Sequence, residues 1–127
     1  MNTIMRLMLV SMLMVIAAPA YSATAVHVFT CEQDDEATEE QIEALASKWL
    51  NAARKMKGGE KLEAYVYHPV AVKMNKEEDI LFVVVAPSFA EWGVFWDGYK
   101  GSAAEKADEG EIVTCPGSSL WESVKVK

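Results

Sequence analysis

Two histidines, three tyrosines and two cysteines are the side chains of this chain best suited to chemistry: His27, His68, Tyr65, Tyr67, Tyr99, Cys31 and Cys115. Histidine changes charge near neutral pH, so His27 and His68 are the candidate catalytic residues, each a proton acceptor. With help from a carboxylate the same pair could ligate a metal or haem iron. The competing reading is that each is a packed strand residue with an ordinary hydrogen bond. Phosphate-cradling Gly-rich loops, G-x-S-x-G and H-E-x-x-H are all absent from the sequence, which leaves hydrolysis and phosphoryl transfer without a carrier. No metal is expected, and haem is the one cofactor the residues leave open.

The aromatic residues are more suggestive. Trp92, Phe95, Trp96 and Tyr99 recur at spacings of three and four, and could join Trp49, Tyr67 and Trp121 around a cavity between helices and sheet. A flat apolar molecule would stack there while a Tyr hydroxyl or Trp N–H oriented it, so Tyr65, Tyr67, Trp92, Trp96 and Tyr99 are the candidate ligand-binding residues. The simpler reading makes them the core of a small domain.

Where this chemistry takes place is indicated by the first residues. Met1–Arg6 carries one positive charge, Leu7–Ala18 is apolar, and small residues follow Pro19, the layout of a secretory signal peptide. The apolar run is shorter than the roughly 20 residues a membrane-spanning helix needs. Residues 1–22 are read as the leader, with a cut after Ser22 preferred to one after Ala25, and 23–127 as one exported domain, periplasmic or secreted, with no membrane attachment after cleavage. In an oxidising compartment an isolated cysteine pair joins, so Cys31 and Cys115 are expected to form a disulfide. A redox-active pair is disfavoured because neither lies in C-x-x-C.

The whole chain carries a net charge of −7, and loss of Arg6 with the leader makes it more negative. That opposes binding to nucleic acid or anionic lipid. The carboxylates concentrate in Glu32, Asp34, Asp35, Glu36, Glu39, Glu40 and Glu43, without a Lys or Arg among them. They lack the glycine and spacing of a calcium loop and read as a solvated loop feeding a helix N-terminus.

These residues must be positioned by a short series of elements. Val26–Cys31 is rich in β-branched and aromatic residues and reads as a strand. Thr38 and Gln41 form a capping box, after which Ile42, Leu45, Ala46, Trp49, Ala53 and Met56 define a helix running to Gly58-Gly59, with Lys55 and Lys57 in its last turn. Leu62–His68 alternates and then meets Pro69, which marks an edge strand or bulge, with Val70–Met74 as a continuation. Asn75–Asp79 reads as a turn and the unbroken apolar run Ile80–Ala86 as a central strand. A second capping box, Ser88 and Glu91, opens the aromatic helix, and Ser102–Asp108 adds a helical turn or two. Ile112–Cys115 is extended, Pro116-Gly117 turns the chain, and Leu120–Val126 is the last strand.

The order β-α-β-β-α-β defines an α+β domain of the ferredoxin-like type, an antiparallel sheet with helices on one face. The first and last strands are expected as neighbours in the middle of the sheet, with Cys31 beside Cys115. In element order, and in the segment Ser88-Phe89-Ala90-Glu91-Trp92 through Phe95-Trp96, the chain resembles the dimeric α+β barrel superfamily, antibiotic-biosynthesis-monooxygenase-like. That resemblance implies a homodimer whose sheets pack face to face. It carries no catalytic residue over to this chain. If Ile80, Phe82 and Val84 face the helices, Leu81, Val83 and Val85 form an open apolar face that needs a cover, a partner subunit or else an apolar ligand. The expected function is a non-enzymatic dimeric module binding an apolar small ligand or a protein partner. The alternative is a cofactor-independent oxygenase-like or haem-binding enzyme of the barrel type.

Overall fold

The computed structural model describes residues 23–71, 80–108, 110 and 112–127. The leader, the Asn75–Asp79 turn and residues 72–74 of the expected strand continuation lie outside the described residues. Along the chain run β1 (Thr24–Gln33), α1 (Glu39–Ala53), β2 (Glu63–Tyr67), β3 (Ile80–Ala86), α2 (Phe89–Asp97), α3 (Ala103–Asp108) and β4 (Val113–Ser123). The strands form one antiparallel sheet in the order β2-β3-β1-β4, the ferredoxin-like arrangement.

Local chemistry accounts for most of the boundaries. The Thr38 hydroxyl accepts from the Gln41 backbone N–H and the Gln41 side chain accepts from the Thr38 N–H, so the box predicted for α1 is complete. At α2 the Ser88 hydroxyl accepts from the Glu91 N–H and donates to the Glu91 carboxylate. α1 ends earlier than its periodicity suggested, at Ala53. Lys55 and Met56 bond back only three residues, to Ala52 and Ala53, so the segment with Lys55 and Lys57 is a series of tight turns. Gly58 has φ +83°, and a Cβ there would stand 2.6 Å from the Glu91 carbonyl oxygen and the Phe95 nitrogen. Glycine is therefore required both for the turn and for the close approach to α2.

Three expectations about the sheet are corrected. β1 and β3 are the central strands, whereas β4 is an edge and, among the described residues, pairs only with β1. Pro116-Gly117 does not turn the chain: β4 runs through it. The register slips between Thr30 (opposite Gly117) and Glu32 (opposite Thr114), which leaves an extra β4 residue beside Cys31. An edge strand tolerates a proline at such a bulge because no ladder hydrogen bond is lost. Gly117 has no Cβ because the Thr30 hydroxyl occupies that space. The Cys31–Cys115 disulfide closes at this bulge and staples the central strand to the edge. β2 is the other edge and ends at Tyr67. Val70 and Ala71 are bends, so the strand does not resume there.

The core lies between the sheet and α1, α2 and α3. Ala25, Trp49, Ala53, Leu62, Val84, Ala86, Phe95, Ala104 and Ala107 form its main part, and Cys31, Ile42 and Ile80 a smaller part near the disulfide. Ile80, Phe82 and Val84 of β3 turn toward this layer, as the alternation required. Burial of each large side chain contributes about 1.5–3 kcal/mol.

Candidate functional site

α2 places Trp92 and Trp96 on one face, since residues four apart lie above one another, and the turn after it brings Tyr99 to the same face. Their rings form a stack: Trp92 and Trp96 are inclined at 10° with centroids 5.8 Å apart, and Trp96 and Tyr99 at 11° and 4.9 Å. The Trp49 Nε1–H of α1 donates to the Tyr99 hydroxyl at 3.1 Å, and the Asp108 carboxylate at the end of α3 interacts electrostatically with the same phenol. The phenol thereby ties α1 to the turn that follows α2. Burial pushes the Tyr99 phenol and the Asp108 carboxyl up from their ordinary ranges. This bond leaves no trace in the pattern of the sequence, because Trp49 and Tyr99 are remote in the chain and have no periodic relation.

His27 lies beneath the stack on the helix-facing side of β1 and is only 6 % exposed. Its ring centroid is 4.1 Å from Phe29, and it meets Trp92 and Trp96 edge-on at 5.6 and 5.1 Å. Desolvation holds its pKa below 6.5, so the imidazole is neutral at pH 7. This packing does not suit an axial ligand to haem: the space that a macrocycle would need against the ring is taken by Phe29, Trp92 and Trp96. The imidazole acts here as a member of an aromatic cluster.

His68 is elsewhere. It follows β2, with Nε2 3.6 Å from Glu43 Oε1 of α1, too long for a direct hydrogen bond, and that nitrogen is buried without a hydrogen-bond partner among the described residues. Glu43 also lines a 370 Å³ cleft between α1 and β2, with Ala46, Ser47, Leu50 and the β2 residues Ala64, Tyr65, Val66 and Tyr67. The two histidines therefore belong to different packing environments. Among the described residues no group of three His, Cys, Asp or Glu side chains is placed to hold a metal ion.

The aromatic candidates also divide. Trp49 joins the α2 stack as expected, but Tyr65, Tyr67 and Trp121 do not. Strand alternation and the register put Tyr65, Tyr67, Leu81, Val83, Val85, Val26, Val28 and Trp121 on the opposite face of the sheet. There Tyr65, Tyr67 and Trp121 are 45 %, 53 % and 60 % exposed. The two tyrosine rings stack at 6.3 Å and the Tyr65 hydroxyl donates to Glu63 at 2.8 Å, which pushes the phenol pKa up. Period-two alternation, applied to β2 as it was to β3, would have separated these tyrosines from the α2 aromatics.

No family model and no curated protein matches the chain. Among solved structures it is similar to a dimeric ferredoxin-like protein of unknown function from Thermobifida fusca YX, with 14 % identity over 82 % of this chain and 92 % of that one and a TM-score of 0.47. It is similar also to a putative chlorite dismutase, at 9 % identity over 78 % of this chain and 42 % of that one, with a TM-score of 0.47. A mutant chlorite dismutase from Candidatus Nitrospira defluvii is 14 % identical over 81 % and 41 %, with a TM-score of 0.43. The chain spans less than half the length of either chlorite dismutase.

Proposed function

We propose that this protein is an exported, disulfide-stapled binding module that works as a homodimer, with the open face of its sheet docked on the same face of a second copy. The observation that carries the reading is the composition of that face. Five aliphatic residues, Val26, Val28, Leu81, Val83 and Val85, run across its middle, and exposed Tyr65, Tyr67 and Trp121 flank them. No described helix of the chain lies over it, since α1, α2 and α3 pack on the other side. An aliphatic centre flanked by Tyr and Trp is the composition of an interface core, where aromatic anchors supply most of the binding energy. An aliphatic sheet face left in water would favour unspecific association.

The test is sedimentation equilibrium of the processed protein beside a Leu81→Lys variant, since Val83 is already buried by its neighbours in the single chain. The proposal expects a dimer for the first and a folded monomer for the second. An unchanged dimer in the variant would show that the copies meet elsewhere.

The α2 stack is assigned the second part of the role, contact with an apolar ligand or partner, through the exposed part of Trp96 and the neighbouring Leu120. His27 is paired with Leu120 across β1 and β4, so the two side chains share the helix-facing side of the sheet. Quenching of tryptophan fluorescence by a flat apolar probe, lost in Trp96→Ala, is the expected result. A response equal in wild type and variant would remove the stack from the binding role. The enzyme reading draws on the neutral His27 as a base. It requires activity toward an activated phenolic or enolic substrate that is lost in His27→Phe, with the fold retained.

A further inference from the structure

The fold separates charge toward the two ends of the sheet. At the end where Cys31 meets Ile80 and Gln33 meets Val113 stand Glu32, Asp34, Asp35 and Glu36, followed by Glu39, Glu40 and Glu43 of α1. At the other end, where Thr24 meets Ser123 and Ala25 meets Ala86, stand Lys125 and Lys127 in the exposed tail after β4. The turns after α1 add Arg54, Lys55, Lys57 and Lys61 there; Glu60, Glu63, Glu122 and Glu91, the last paired with Lys61 at 3.9 Å, are the carboxylates among them, fewer than the cations. The ends are set apart by the ten residues of β1, about 33 Å at the usual rise of a strand.

Two identical sheets that meet face to face are related by a twofold axis in the plane between them. With that axis parallel to the strands, like ends meet, acid on acid and base on base. With it perpendicular to the strands, each acidic end lies over the partner's basic end. Potentials across an interface select orientation more than they add affinity, and like-charge juxtaposition is the arrangement they penalise. We infer that the two copies pair with their strands close to antiparallel, so that Glu32 and its neighbours on one protomer lie over the Lys125 and Lys127 tail of its partner.

This assignment rests on the proposed homodimer and goes beyond it, because it fixes which residues meet. The midline row Tyr65, Val83, Val28 and Ser119 then lies along the axis, and each of these residues faces its own copy. The row Tyr67, Leu81, Thr30 and Gly117 faces the partner's row of Glu63, Val85, Val26 and Trp121. In the other arrangement Tyr65 would face Ser119 instead.

The experiment is a charge exchange read as the dimer dissociation constant at low and at high salt. Lys125→Glu with Lys127→Glu, or Glu32→Lys with Asp35→Lys, each weakens the dimer about three- to tenfold at low salt, and less at high salt, the scale of a few exposed pairs. The fourfold variant returns to within about twofold of the original, since opposite charges meet again. Losses that add in the fourfold variant, or two double exchanges without effect, overturn the antiparallel orientation and leave the dimer standing. An original protein that sediments only as a monomer overturns the dimer, and the orientation with it.

Discussion

His27 and Trp96 meet edge to face, ring centroids 5.1 Å apart and planes inclined at 69°, which ties the middle of the central strand β1 to the aromatic face of α2. The contact puts an ionisable ring where only its neutral form is well accommodated. Because the folded pKa lies below 6.5, the unfolded chain binds more protons than the folded one in the interval between the two values. The contribution of His27 to stability is therefore complete above pH 6.5 and falls as the pH drops toward the lower folded value. Asp108 has the opposite sign, since its raised pKa adds stability as the carboxyl protonates above its ordinary 3.8. Denaturant titrations from pH 7.5 downward are expected to show a loss of stability below pH 6.5 that His27→Phe reduces. An identical slope in the variant would contradict this.

The hydrogen bond from Trp49 to Tyr99 gives a second prediction. Tyr99→Phe keeps the stacked ring and leaves the Trp49 N–H without its acceptor, at a cost of about 1–3 kcal/mol. Tyr99→Ala also removes the ring from the stack, and its cost should rise toward about 3–5 kcal/mol. Equal stability of the Phe variant and the original would show that water replaces the phenol without loss.

The disulfide joins residues 84 positions apart, and removing it frees a long loop in the unfolded chain. Cys31→Ala with Cys115→Ala should lower stability by about 2–4 kcal/mol while the far-ultraviolet circular dichroism is retained. Reductant should lower the melting temperature of the original protein and leave that of the variant unchanged. Equal melting of the original with and without reductant would count against the staple.

The structure also separates the two proposed processing positions. Ala25 is fully buried and pairs with both Ala86 and Glu122, so a cut after Ala25 would delete the first two residues of β1. A cut after Ser22 leaves the strand whole. The N-terminal sequence of exported material is predicted to begin at Ala23, and a start at Val26 would contradict this.

Residues with a strong local rule were legible in the sequence. Thr38 with Gln41, the unbroken apolar run Ile80–Ala86 and the helical spacing of Trp92, Phe95 and Trp96 each led to the element found, and Cys31 was rightly set beside Cys115. What failed depended on neighbours remote in the chain. Pro116-Gly117 reads as a turn unless the bulge opposite Cys31 and the edge position of β4 are known. Tyr67 and Trp121 could be grouped with Trp92 only while the side of the sheet each strand presents was undetermined. The contacts around His68 and the hydrogen bond from Trp49 to Tyr99 are tertiary coincidences without a periodic trace.

The central claim is that the aliphatic sheet face is covered by a second copy, and the mass of the processed protein in solution tests it most directly. Light scattering on a size-exclusion peak, at micromolar loading and physiological salt, is predicted to give twice the mass of the single chain. A peak at the mass of one chain, unchanged as the loading is raised, would contradict it.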